Sequence, residues 1–305
     1  MGDKKIVHGF LLVSLILTLS AITASAQPNP NRLKVMTWNI AGRACRDAKP
    51  YAEMSRYADQ IRAKNPDVIA IQEVTFEQAY WLAYYLDKAK PYNVRFVWAI
   101  RCSPYSATLG DYGNAILSRH PLKPEGGYFD GGFKVSDDPH ARARGEYIKV
   151  AQASVQLPKT DGKPGGPWIR VYSAHLTGNN GRPPDGARNA GKQVEDTMIH
   201  IDKADGRAWG QPRTILMGDF NAFPSVGPCN ATTKKGPDYN SYAWLTYRYR
   251  ADFQFQDAWL EKKSDTPGDV CGFTISNTSN PEPVWRYDYI FLRNAGGFTV
   301  KKMEV

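Results

Sequence analysis

Ile215 to Asn221 read ILMGDFN. An apolar run of strand length passes through Gly218 into Asp219-Phe220-Asn221, so an extended backbone carries two oxygen-bearing side chains on one side. Gly218 has no side chain and leaves room for a ligand or another backbone to approach. A strand that delivers paired polar groups at its end is how an α/β protein presents a site at a sheet edge.

The rest of the chain repeats this arrangement. Leu33 to Ile40, LKVMTWNI, alternates like a strand and ends on Asn39. Tyr51 to Lys64 has helical spacing and stops at Asn65-Pro66. Asp67 to Val74, DVIAIQEV, is a short, almost wholly apolar run with the signature of a buried strand, and it closes on Glu73. Phe76 to Lys88 reads as an amphipathic helix with a dense aromatic face. Further strands are expected at 93–101, 114–118, 145–157, 168–176, 213–218, 271–276, 287–293 and 297–304, with a helix at 187–204. Pro158–Pro167 and Gly178–Gly186 read as surface loops, the first of them a hairpin extension. No internal repeat, low-complexity tract or linker divides the sequence. One α/β domain with two packed sheets and outer helices fits this order.

The first residues form a separate segment. Lys4 and Lys5 precede the apolar run FLLVSLILTL at 10–19, and Ala24-Ser25-Ala26 follows. A basic start, a short apolar stretch and a small-x-small site predict a secretory signal at 1–26 and an exported, periplasmic or secreted protein. The alternative, an uncleaved anchor, has to contend with an apolar run well short of the roughly 20 residues a span needs. Gln27 to Arg32 would be a flexible lead-in to a domain at 33–305. No later segment is long and apolar enough to span a membrane.

The full chain carries 39 Lys+Arg against 30 Asp+Glu. Residues 1–26 contribute two lysines and one aspartate, leaving about +8 on the remainder. That excess favours an anionic partner, whether nucleic acid, a phospholipid surface or a small phosphate. A merely soluble basic protein has the same composition. Cys45, Cys102, Cys229 and Cys271 form no Cys-x-x-Cys or Cys/His cluster, which argues against a zinc site. In an exported chain an even count predicts two disulfides. Cys45–Cys102 and Cys229–Cys271 are the expected pairs, because each would tie a loop near one motif to a neighbouring strand.

Several strand ends carry chemistry. The Asn39 amide can offer an oxygen to a cation or its NH₂ to a phosphate, although a strand-end Asn also serves as a turn former. A Glu73 carboxylate that finishes so apolar a strand needs either a cation or an arginine partner. His175, in VYSAHL, is either a functional imidazole or a satisfied loop histidine. Asp288, in RYDYIFL, faces the same way as Arg286.

TWN, IQE, GNAILSRHPL, AHL, GDFN and RYDYIF, in that order, resemble the endonuclease/exonuclease/phosphatase superfamily, the deoxyribonuclease-like fold, over residues 33–305. The resemblance implies two mixed sheets flanked by helices in a four-layer sandwich. It also implies a hydrolase that uses Mg²⁺ or Mn²⁺ and acts as a monomer on a phosphoester, in nucleic acid, phospholipid or a small phosphate. Glu73 would be the principal metal ligand, with Asn39 beside it. His175 would hydrogen-bond a non-bridging phosphate oxygen. Asp219 would orient or activate water or protonate the leaving group, and Asn221 would hold the phosphate. Asn114 and Arg144 would reach phosphate, with Arg142 able to do the same, and Asp288 would support the site.

The family pattern continues into a Ser-Asp-His segment whose histidine is the proposed base, whereas this sequence passes through GGFTVKKMEV to Val305 without one. His140 is the one other histidine expected near the site. The departure implies either an interrupted reading of an ordinary gene or a member that binds phosphate and metal but turns over slowly. The aromatic stretch SYAWLTYRYRADFQF at 241–255 would either pack on a sheet or line a lipid-facing edge.

Overall fold

The computed structural model describes residues 32–40, 50–100, 112–124, 132–135, 149–176, 185–206, 212–221 and 253–262, with shorter runs at 242, 245–246, 249, 275–277, 280–285, 288–293 and 300–302. Thirteen strands and four helices are found among them. One sheet has the order β1-β2-β4-β3, from Val35–Asn39, Val68–Thr75, Tyr112–Ser118 and Asn93–Ile100 respectively. The second has the order β10-β13-β9-β8-β7-β5, from Gln256–Asp257, Asp288–Arg293, Thr214–Asp219, Trp168–His175, Lys149–Gln156 and Leu122–Pro124. In addition, β6 (Gly132–Lys134) pairs with β7. A separate hairpin joins β11 (Ile275–Asn277) to β12 (Asn280–Trp285).

Strand parity dictates the layering. Val68, Ala70, Val97 and Ile116 of the first sheet meet Val171, Ile215, Met217 and Leu292 of the second in one buried cluster between the sheets. The alternate residues face outward. Ile69, Ile71 and Val74 pack under α1 (Pro50–Lys64) and α2 (Phe76–Leu86). Tyr172, Leu216 and Phe291 pack under α3 (Asp185–Gly206) through Val194, Met198 and Ile201. Helix, sheet, sheet, helix is the four-layer sandwich that the sequence order implied.

Local chemistry sets the helix ends that matter here. α1 buries Met54, Ala58 and Ile61 on one stripe. It stops at Asn65, whose φ of 50° closes the last turn through its N–H to the Ile61 carbonyl at 3.0 Å, ahead of Pro66. α2 begins in a capping box, in which the Thr75 hydroxyl accepts from the Gln78 N–H at 3.1 Å and the Gln78 side chain accepts from the Thr75 N–H at 3.0 Å. The fourth helix, α4 (Ala258–Lys262), is a short five-residue segment after β10.

One expected strand is corrected by the structure, and others are met or fall partly outside the described residues. Val300 to Lys302 form neither strand nor helix, although Val300 packs against the inter-sheet core. The strand expected at 271–276 begins at Ile275, and 271–274 fall outside the described residues. Likewise β7 is described from Lys149 onward. Tyr242, Leu245, Phe253 and Phe255 are buried in the outer core of the second sheet, so these rings do not form a lipid-facing edge. The hairpin over Pro158–Pro167 is present, closed by the Leu157 N–H on the Pro167 carbonyl at 2.9 Å.

Candidate active site

The inter-sheet gap is apolar along its length and becomes polar at one end. Each central strand contributes to that end by simple alternation. On β1 the inward positions are Val35, Thr37 and Asn39; on β8 they are Ile169, Val171, Ser173 and His175. On β9 they are Ile215, Met217 and Asp219, and on β13, running back from the same end, Asp288, Ile290 and Leu292. His175 pairs with Asp219 across the parallel β8–β9 ladder, and Asp288 pairs with Asp219 across β13–β9. Three polar side chains are thereby brought abreast at the mouth of the gap.

Glu73 reaches the same place by breaking the alternation. Ile69 and Ile71 face the helices, so unbroken parity would send Glu73 outward too. Instead β2 carries a bulge. Gln72 pairs with Asn114 and Val74 with Gly113, which leaves Glu73 as the extra residue. Its φ is 54°, a left-handed conformation that costs a non-glycine residue about 1–3 kcal/mol and persists when the surroundings hold it. Val74 then resumes the outward position.

The groups converge on one amide. Asn39 Nδ2 donates to Glu73 Oε1 at 3.1 Å and to Asp219 Oδ2 at 2.9 Å. His175 Nε2 lies 3.7 Å from the same Glu73 oxygen and 3.9 Å from the same Asp219 oxygen. The Glu73, His175 and Asp219 side chains are 18%, 22% and 9% exposed, so the cluster opens to solvent although the strands beneath it are closed. Asn221 shapes the rim. With φ at 46°, its N–H donates to Asp219 Oδ1 at 2.9 Å and its Nδ2 to the Leu176 carbonyl at 2.9 Å, fixing the turn that follows β9.

Asn114 lies deeper than a phosphate contact requires. It is fully buried and its Nδ2 donates to the Lys149 carbonyl at 2.7 Å, bridging the two sheets. Arg144, Arg142, His140, Arg286 and the four cysteines lie outside the described residues. The residues that sequence reasoning missed are Thr37, Gln72 and Ser173, buried polar groups on the inward positions just below the site. The signal was present in DVIAIQEV, where Gln72 is a second polar residue in a buried strand and has to be hydrogen-bonded.

The donor set suits a hard cation. Two carboxylates and an amide meet with no thiolate, and Mg²⁺ characteristically takes one or two carboxylates and completes its shell with water and substrate phosphate. Among the described residues no group of three or more His, Cys, Asp or Glu side chains is placed to hold a metal on its own.

The model of the Endonuclease/Exonuclease/phosphatase family matches residues 36–301. Solved structures share the fold. An endonuclease/exonuclease/phosphatase from Beutenbergia cavernae is 22% identical with a TM-score of 0.51, and the match covers 86% of this chain and 64% of that one. The chain therefore spans less than two thirds of that protein's length. An endonuclease/exonuclease/phosphatase family protein from Leptotrichia buccalis is 20% identical with a TM-score of 0.53, covering 86% and 88% of the two chains. A mannosyl-6-phosphatase from Bacteroides thetaiotaomicron is 16% identical with a TM-score of 0.51, covering 87% and 86%. No curated protein matches by sequence.

Proposed function

We propose, because this chain belongs to the endonuclease/exonuclease/phosphatase family of phosphoester hydrolases, that it is an exported, divalent-metal-dependent phosphodiesterase. The observation that carries the reading is the convergence of Asn39, Glu73, His175 and Asp219 on one point at the mouth of the inter-sheet gap. Export rests on the signal-like sequence of residues 1–26. No helix among the described residues is long and apolar enough to cross a membrane.

Glu73 and Asn39 would hold Mg²⁺ or Mn²⁺. A bound ion of this type neutralises phosphoryl oxygens and favours ionisation of water. The remaining chemistry belongs to the side chains. His175 donates from Nε2–H to a non-bridging phosphate oxygen, which gains charge as the P–O bond breaks. Asp219, held on Oδ1 by the Asn221 N–H and on Oδ2 by the Asn39 amide, orients the attacking water through a remaining lone pair and accepts its proton. Asp288, opposite Asp219 in the ladder, supports that carboxylate from the adjacent strand. The net charge, about +8 without residues 1–26, draws an anionic substrate toward the protein.

A lipid phosphodiester is the second reading, favoured by Phe76 and Tyr80. Both are 54% exposed, one turn apart on α2, the helix that follows Glu73 by two residues. The test is a hydrolysis panel of plasmid DNA, single-stranded DNA, sphingomyelin, phosphoinositides, bis-nitrophenyl phosphate and nitrophenyl phosphate, each with and without EDTA. The expected result is diester cleavage that EDTA abolishes and Glu73→Ala cripples. Undiminished cleavage by Glu73→Ala, or turnover confined to the monoester, would contradict the assignment.

A further inference from the structure

We infer that Gln72 is a positioning residue for the Glu73 carboxylate, acting through a buried hydrogen-bond chain that ties the two sheets together beneath the site. The inference rests on the metal-site reading above. Thr37 Oγ1 donates to Gln72 Oε1 at 3.3 Å, Gln72 Nε2 donates to Ser173 Oγ at 3.0 Å, and Ser173 Oγ donates to the Ile71 carbonyl at 3.4 Å. The protons run one way from β1 through β2 to β8 and back to the β2 backbone. Gln72 and Ser173 are fully buried.

The chain's place in the sequence gives it its role. Thr37 stands two residues before Asn39 and Ser173 two before His175, each on the same strand face as the residue it precedes. Gln72 stands one before Glu73, at the base of the bulge. The Gln72 carbonyl also accepts from the Ile40 N–H at 3.2 Å, so its backbone is tied to β1 just beyond Asn39. One side chain therefore fixes β1, β2 and β8 at the level from which three site groups emerge. A left-handed Glu73 has no regular ladder to hold it and depends on these anchors. Asn114, in register with Gln72 on β4, adds a second tie to the other sheet through the Lys149 carbonyl.

Burying an amide in an otherwise apolar layer is costly unless every bond is made, and an apolar side chain would fill the same volume at less desolvation cost. Alignment of the carboxylate is what the amide provides in return. Partners that orient metal ligands in this way commonly set metal affinity by about 10–100-fold.

The test is Mn²⁺ binding to the full chain, measured by electron paramagnetic resonance, alongside urea unfolding of each variant. Gln72→Met removes both amide bonds at similar volume and is expected to weaken Mn²⁺ binding by about 10-fold. Ser173→Ala deletes the acceptor for Gln72 and the donor to the Ile71 carbonyl while leaving the amide in place, and is expected to shift binding in the same direction; it decides the matter if Gln72→Met does not fold. Val171→Ala, in the same core layer but outside the chain of bonds, is expected to lose stability and retain wild-type Mn²⁺ affinity. Folded Gln72→Met or Ser173→Ala with wild-type affinity would overturn the positioning role alone. Wild-type Mn²⁺ binding that is indifferent to Glu73→Ala would instead overturn the metal-site reading on which it rests.

Discussion

Replacing Gly218 by alanine places a methyl group against the neighbouring strand at the one point where the site can least accommodate it. A Cβ at this position would lie 1.8 Å from the Ala174 carbonyl oxygen, 2.8 Å from its carbon and 2.9 Å from the Ala174 nitrogen. All three are backbone atoms of the parallel partner β8, so no rotamer change relieves the contact. The φ of 149° is itself unfavourable for a residue with a side chain, adding about 1–3 kcal/mol of strain. Overpacking of a closed core adds about 1–3 kcal/mol more. The expected loss is therefore about 2–6 kcal/mol, a large share of a typical stability of about 5–15 kcal/mol. Gly162→Ala supplies the control: its φ is also positive, at 82°, but nothing lies within 4 Å of the new Cβ. It should cost only the backbone term, about 1–2 kcal/mol. Urea unfolding of both variants, compared at equal m-value, separates collision from strain. Because Asp219 follows Gly218 and pairs with His175, spreading β8 from β9 should also weaken Mn²⁺ binding. A Gly218→Ala protein within about 0.5 kcal/mol of wild type would refute the claim that β8 and β9 are packed this closely.

Three further outcomes follow from buried groups away from the site. Burial holds the His120 imidazole below its ordinary value of 6.5, with Arg119 and Lys90 pushing the same way and Asp67 opposing. The unfolded chain therefore binds a proton that the folded chain refuses, so His120's contribution is complete above about pH 6.5 and is lost as pH falls towards its depressed folded value. Urea midpoints from pH 8 to 5 should decline in that window, and His120→Gln should flatten the decline; an unchanged slope would count against it. Arg293 Nη1 meets the fully buried Asp205 at 2.6 Å and the guanidinium Cζ lies 3.6 Å over the Phe253 ring, so Arg293→Met should cost about 3–5 kcal/mol in urea unfolding. Arg170, 3.4 Å from the same carboxylate, limits the loss to the lower part of that range, and a cost below about 1 kcal/mol would mean that Arg170 suffices. Thr75→Ala removes the α2 cap and should cost about 1 kcal/mol, read from the same transition.

The central strands were legible because burial on both faces leaves an unmistakable apolar run. DVIAIQEV and ILMGDFN each stand almost entirely inside the sandwich, and each places its polar residues at the end that opens to solvent. Edge elements were not legible. β6 and β10 are three and two residues long and exist only as additions to β7 and β13, with no periodicity of their own. β12 contains two prolines and was not read as a strand; among the described residues it pairs with β11, through an irregular register. The candidate residues were read as strand ends, and Asn39, His175 and Asp219 do end β1, β8 and β9, but the route by which Glu73 comes beside them was not read. A bulge is a property of two strands, and Gln72-Asn114 and Val74-Gly113 have to be paired before the extra residue can be recognised. The same holds for Asn114. The resemblance implied a phosphate contact for it, and the antiparallel register brings its Nδ2 to the Lys149 carbonyl.

All of this turns on whether Glu73 and Asn39 hold a divalent cation beside Asp219. The most direct measurement is a Mn²⁺ titration of the purified chain followed by electron paramagnetic resonance, with Glu73→Ala, Asp219→Asn and His175→Ala in parallel. One bound ion that is lost in Glu73→Ala, weakened in Asp219→Asn and retained in His175→Ala is the predicted result. Retention of the ion by Glu73→Ala, or no saturable binding to the wild-type chain, would contradict it.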